Sequence, residues 1–137
     1  MSFRKLLIKV FIGVFIFVGG LLLIVNSFMS VSLKDLKGKG DYVEAFSSPN
    51  DEYEATMFVI FGNATNGNQV RVAINSKKDG KKEFDDETIY WLYPVDENLV
   101  DVSWVDNQII EINDQIIDIK EKKTYYNWRK DKSLDEE

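Results

Sequence analysis

The chain has 137 residues, 45% of them apolar, with 17 basic and 23 acidic side chains and neither cysteine nor histidine. That length and apolar share suit one modest packed domain, and the missing cysteine excludes disulfide scaffolds, thiolate zinc sites, cysteine nucleophiles and acylated lipoprotein cysteines. Without histidine the commonest general base and metal ligand is gone, and a formal charge of −6 is wrong for nucleic acid, which selects clustered Lys and Arg.

The charge is unevenly placed. Arg4, Lys5 and Lys9 precede every acid, so from Lys34 onward fourteen basic residues face 23 acidic ones, a balance of −9. Residues 10–25 contain no polar side chain, and thirteen of the sixteen are Val, Ile, Leu or Phe. The 24 uncharged residues between Lys9 and Lys34 would span roughly 36 Å as a helix, against about 30 Å of hydrocarbon. Residues 10–29 therefore read as a transmembrane helix whose partner is the lipid bilayer. Arg4, Lys5 and Lys9 set its topology, keeping residues 1–9 in the cytoplasm and sending the rest out. The expected location is the cell membrane, single-pass, with an extracellular C-terminal domain. A cleaved signal peptide is the competing reading. The apolar core is slightly long for one, and the nearest small-residue cleavage candidate, Val25-Asn26-Ser27, is poor. A retained anchor is favoured. Gly13, Gly19 and Gly20 lack the Gly-x-x-x-Gly spacing of a dimerisation face.

Residues 30–40 read as a linker. Lys34, Lys37 and Lys39 interleave with Asp35, Gly38 and Gly40, a short basic stalk that can meet anionic headgroups at up to about 1 kcal/mol per Lys. From residue 41 the pattern changes to period two, the mark of half-buried strands. Strands are expected over 42–46, 53–61, 69–75 and 88–93, with a turn at 47–51, a loop at 62–68 and a charged loop at 76–87. Three closely spaced strands follow, with Val100, Val102 and Trp104 on one face, then Ile110 and Ile112, then Ile117 and Ile119. Asp106-Asn107 and Asn113-Asp114 stand where tight hairpin turns are needed. Tyr125, Tyr126 and Trp128 offer a last short strand or turn, and residues 130–137 a charged tail.

The fold class expected is all-β: after the N-terminal helix, one small antiparallel meander of six to seven strands over residues 41–129. Such a sheet must bury one face, as a sandwich or half-barrel. Two patterns, Ser48-Pro49-Asn50-Asp51-Glu52-Tyr53 and Val102-Ser103-Trp104-Val105-Asp106-Asn107, look like β-propeller blades. A propeller needs about four blades of some forty residues, so a complete one is excluded. With the Tyr53-Glu54-Ala55 strand, the Gly62-Asn63-Ala64-Thr65 loop and the Gln69-Val70-Arg71-Val72 return, the chain resembles a family of small Gram-positive membrane-anchored proteins known only as a domain of unknown function (5412 series). It departs from that family's more frequent Ser-Pro-Asp-Gly-Lys and Gly-Ala-Thr-Thr. The resemblance implies topology and membrane attachment, and adds no chemistry.

Chemistry is sparse. Glu83, Asp85, Asp86 and Glu87 form the densest acidic group, read as a solvated loop rather than a carboxylate pair of the glycosidase kind. Asn75, Asp79 and Asp86 with Gly80 mimic an EF-type calcium loop, but Lys77 and Lys78 oppose a divalent ion and strands flank the segment. No Ser-x-x-Lys, Gly-x-Ser-x-Gly or phosphate-binding Gly-rich motif occurs. No cofactor, metal ligand or catalytic residue is assigned. Two binding candidates remain: the loop residues Gly62, Asn63, Thr65, Asn66 and Asn68, and the aromatic set Tyr125, Tyr126 and Trp128. Each also has a plain structural role open to it, turn geometry for the loop and core for the aromatics. The function expected is a non-catalytic extracytoplasmic binding domain whose partner is another envelope protein. The alternatives are a carboxylate-dependent hydrolase of wall material and an immunity or sensor domain for a cationic exported partner.

Overall fold

The computed structural model describes residues 2–29, 31–63, 65–77 and 82–131. The chain forms two units, Met1–Val31 and Ser32–Glu137. The first is a helix, α1 (Phe3–Met29). Its stretch Phe3–Val25 has 23 residues, a mean hydropathy of 2.8 and no buried position. A helix apolar on all sides suits hydrocarbon rather than water, and this one is long enough to cross a membrane. A membrane anchor and a signal sequence both fit that description. Arg4, Lys5 and Lys9 stand exposed along its first two turns.

The second unit is the β domain. Its strands are β1 (Asp41–Ser47), β2 (Tyr53–Ile60), β3 (Gln69–Ser76), β4 (Glu87–Leu92), β5 (Val102–Trp104), β6 (Ile109–Ile112), β7 (Gln115–Asp118) and β8 (Tyr126–Asn127). They make a five-stranded sheet in the order β1-β2-β3-β4-β8 and a three-stranded sheet β5-β6-β7. Antiparallel pairing holds throughout except at the end: the two-residue β8 runs parallel to β4. The chain reaches that position only after completing the small sheet, so it arrives by a crossover rather than a hairpin.

The expected apolar faces are the ones that pack. Val100, Val102, Ile110, Ile112, Ile117 and Ile119 are all buried, and share one cluster with Ala55, Met57, Val70, Val72 and Ile74 of the large sheet. Two sheets with a common apolar layer are a sandwich. Each fully buried aliphatic side chain in it contributes about 1.5–3 kcal/mol. The Trp104 indole N–H donates to the Phe46 carbonyl across the layers at 2.9 Å, and the Asn50 amide donates to Asn107 Oδ1 at 2.7 Å. Both expected hairpin turns form. Asn113 adopts a left-handed φ of 50°, which Asn tolerates, and the Asp106 carboxylate accepts from the amides of Gln108 and Ile109. Those two amides hold its pKa below the ordinary carboxylate value.

The second face of the large sheet is the departure from simple alternation. Phe58, Arg71, Trp91 and Asn127 are successive cross-strand neighbours on it, and Arg71 and Trp91 are 1% and 3% exposed. The cover comes from the stretch that reads as a linker. Instead of a flexible stalk, residues 32–40 fold onto the sheet. Leu36, in the 3-10 turn Leu33–Leu36, is buried, and Ser32 and Asp35 cap that turn. Gly40 passes at φ 97°, where an added Cβ would stand 3.0 Å from Phe58 Cβ, so only glycine lets the strand entrance lie this close. The charged loop differs too: Phe84 is buried against Tyr53 in an edge-to-face contact at 5.5 Å. The tail beyond residue 131 and the Lys78, Asp79 and Gly80 part of the calcium-loop pattern lie outside the described residues.

Candidate binding groove

At the end of the covered face where β2 gives way to its loop, four segments meet. Phe61 follows β2, Gln69 opens β3, Trp91 lies near the end of β4 and Tyr93 just after it, and Trp128 and Arg129 follow β8. With Gly62, Asn63, Asn66 and Gly67 they line an open groove of about 560 Å³. Period two explains the strand residues: Trp91 and Tyr93 are two apart and share a face.

The aromatic wall is tightly packed. Trp128 meets Trp91 edge to face with ring centres 5.5 Å apart and Tyr93 at 5.1 Å. The Arg129 guanidinium lies 5.6 Å from the Trp91 ring and 5.5 Å from that of Trp128, within cation–π range of both. The Trp91 indole N–H donates to Gln69 Oε1 at 2.9 Å. By contrast, the Trp128 indole N–H is buried with no hydrogen-bond partner among the described residues. A buried donor left so costs about 1–3 kcal/mol, a strain the fold carries at this wall.

The loop side is built by its own hydrogen bonds. Asn63 Oδ1 accepts from the Thr65 amide at 3.0 Å, the Thr65 hydroxyl at 2.8 Å and the Asn66 amide at 3.0 Å. Asn68 Oδ1 accepts from the Gly62 amide at 3.1 Å, and its Nδ2 donates to Glu97 Oε2 at 3.4 Å. Thr65 and Asn68 therefore shape the loop without lining the groove, whereas Gly62, Asn63 and Asn66 line it. Gly62 is there because a Cβ would lie 2.3 Å from the Asn66 carbonyl oxygen.

Of the aromatic set, the structure brings only Trp128 to the groove. Tyr126 stacks on Tyr90 at 5.0 Å and donates its hydroxyl to Asp131. Tyr125 donates to the Ile119 carbonyl at 2.5 Å, and both tyrosines pack against the core. Burial, then the negative charges of Glu87 and Asp118, push the Tyr125 phenol up. Tyr126 is raised by burial and by its bond to Asp131. Phe61, Gln69, Trp91, Tyr93 and Arg129 were not among the expected site residues. The spacing of Trp91 and Tyr93 was the one available signal.

The acidic group is fully engaged. Glu83 accepts from the Tyr53 hydroxyl at 2.8 Å, Asp85 pairs with Lys37 at 3.2 Å, Asp86 with Arg71 at 3.0 Å and Glu87 with Lys122 at 3.7 Å. Among the described residues no three acidic side chains are placed to hold a metal ion. A family model described as a family of unknown function (DUF5412) matches residues 4–131. Comparison with curated proteins and with solved structures gives no match.

Proposed function

The chain belongs to the family of unknown function DUF5412, and from that premise we propose that it is a membrane-anchored, non-catalytic binding domain held outside the cytoplasm. The observation that carries the reading is the groove itself. Two features with binding chemistry, far apart in sequence, line one open surface: the 62–68 loop and the Trp91, Tyr93 and Trp128 wall. The half-buried rings of Tyr93 and Trp128, backed by buried Trp91 and set beside amide and guanidinium groups, suit a polar ligand with apolar ring faces, such as an envelope saccharide. The engagement of Glu83, Asp85, Asp86 and Glu87 by partners supports the non-catalytic half. The 23-residue stretch Phe3–Val25, with Arg4, Lys5 and Lys9 all in its N-terminal third, supports retention with the N-terminus inside.

Two measurements test this. The cysteine-free chain allows single-cysteine labelling with a membrane-impermeant maleimide. Ser103→Cys, at an exposed position of β5, is labelled on intact cells and Ser2→Cys only after lysis; the reverse pattern overturns the topology. Two of the three tryptophans line the groove, so full-length protein in detergent should show a saturable emission change with soluble wall glycan fragments. Trp128→Leu abolishes that change. A flat titration of the unmodified chain removes the saccharide reading.

A further inference from the structure

A second cavity lies on the β domain, an open groove of about 830 Å³. Its walls are the Leu33–Leu36 turn, the start of β4 and the turns around β8. Lys34, Lys37, Lys122, Lys123 and Lys130 all line it. Gathering five of the fourteen basic residues that follow position 33 into one groove is unusual in a domain carrying −9.

Three acids share the lining, and each must be counted. Asp86 is taken by Arg71, whose two terminal nitrogens each lie 3.0 Å from one of its oxygens, and by the Gly38 amide at 2.6 Å. Asp85 pairs with Lys37 and Glu87 with Lys122. Lys123 lies 3.6 Å from Glu121, outside the lining. Lys34 and Lys130 have no ion pair among the described residues and are exposed. With Arg71 answering Asp86, the groove keeps a local positive surplus.

We propose that this groove receives the phosphate headgroup of an anionic lipid. Charge complementarity selects the phosphate. Chain connectivity selects the lipid as its source: the groove begins at Ser32, seven residues after the apolar stretch ends at Val25. An anionic surface repels the acidic remainder of the domain, so this basic groove is the part such a surface attracts. The attraction is worth up to a few-fold in population per lysine and fades within a Debye length as salt rises.

The test uses the full chain in nanodiscs of phosphatidylcholine, with and without phosphatidylglycerol, and reads amide hydrogen exchange. Phosphatidylglycerol should slow exchange over residues 33–37 and 122–130, with residues 53–60 unchanged. Raised salt should reverse the slowing. The double variant K34Q/K130Q changes two exposed side chains and should lose roughly tenfold of the protection. Equal exchange in both lipids overturns the proposal. So does the same protection from inorganic phosphate added to phosphatidylcholine discs, since the site would then serve a soluble anion. Both outcomes are independent of the glycan titration of the aromatic groove.

Discussion

Replacing Asp86 by alanine should be among the most damaging single changes in the β domain. Arg71 is 1% exposed, and its guanidinium donates to the Lys39 carbonyl at 2.6 Å, to both Asp86 oxygens and to Thr88 Oγ1 at 3.1 Å, with Phe58 stacked 4.3 Å away. Removing one partner of a buried pair leaves an uncompensated charge and costs about 3–5 kcal/mol, at least about a fifth of a typical domain's 5–15 kcal/mol. The opposite deletion, Arg71→Met, is milder. The Asp86 side chain is 19% exposed against 1% for Arg71, so a stranded carboxylate regains water where a stranded guanidinium does not. The double variant should therefore be more stable than D86A alone. Urea unfolding followed by tryptophan emission in detergent gives the three values. Amide exchange over residues 36–40 reads the same event locally, because Lys39 and Gly38 are bound through this pair. A D86A cost below about 1 kcal/mol, or additivity in the double variant, refutes the argument that the pair fastens residues 32–40 to the sheet.

Three further outcomes follow from the same structure. Ile110→Ala or Ile117→Ala, each at a fully buried position shared by both sheets, should cost about 2–5 kcal/mol in the same unfolding experiment. Gly62→Ala should lower the melting temperature and broaden the loop's amide signals, because its Cβ meets backbone at 2.3 Å and the loop must shift, at about 1–3 kcal/mol; an unchanged loop spectrum would contradict the close approach. For pH, burial raises the phenols of Tyr90, Tyr125 and Tyr126. The unfolded chain ionises first, so their contribution is whole below about pH 10 and is lost as pH climbs above it. Tyr125→Phe should flatten that alkaline limb. At the other end, Asp35 and Asp106, lowered by the amides and hydroxyl that bind them, stabilise above about pH 4 and cease to do so as pH falls through their folded values. With no histidine, the melting temperature should change little between those limits.

Period two made the sandwich legible because one face of each strand meets the core. Val102, Ile110, Ile112 and Ile117 alternate cleanly, and the small sheet is where they pack. The central strands of the large sheet are harder, since β2 and β3 are buried on both faces and alternation no longer separates inside from outside. Arg71 is the instructive residue. In sequence it reads as the solvent side of a strand, yet it is the most enclosed charge among the described residues. Its partners lie 15 and 32 residues away, at Asp86 and Lys39, and no local pattern joins them. For the same reason residues 32–40 looked like a stalk: lysine and glycine dominate the composition, and Leu33 and Leu36 are too few to signal packing.

The groove shows how far neighbouring aromatics can part company. Tyr126 and Trp128 look like one cluster, but β8 is only two residues long. Tyr126 pairs with Tyr90 and Asn127 with Trp91, so the side chains diverge to opposite faces of the sheet within one step. The 3-10 turn Trp128–Lys130 then carries Trp128 on along the outer face, to Trp91 and Tyr93. The parallel position of β8 beside β4 is what makes this possible. An antiparallel hairpin partner would have come from a neighbouring segment, whereas the crossover delivers residues 126–129 from the far end of the domain to the β4 strand and the 62–68 loop. The two groove-lining features thus meet through a long-range strand pairing of two residues, and their meeting is a property of the topology rather than of either motif.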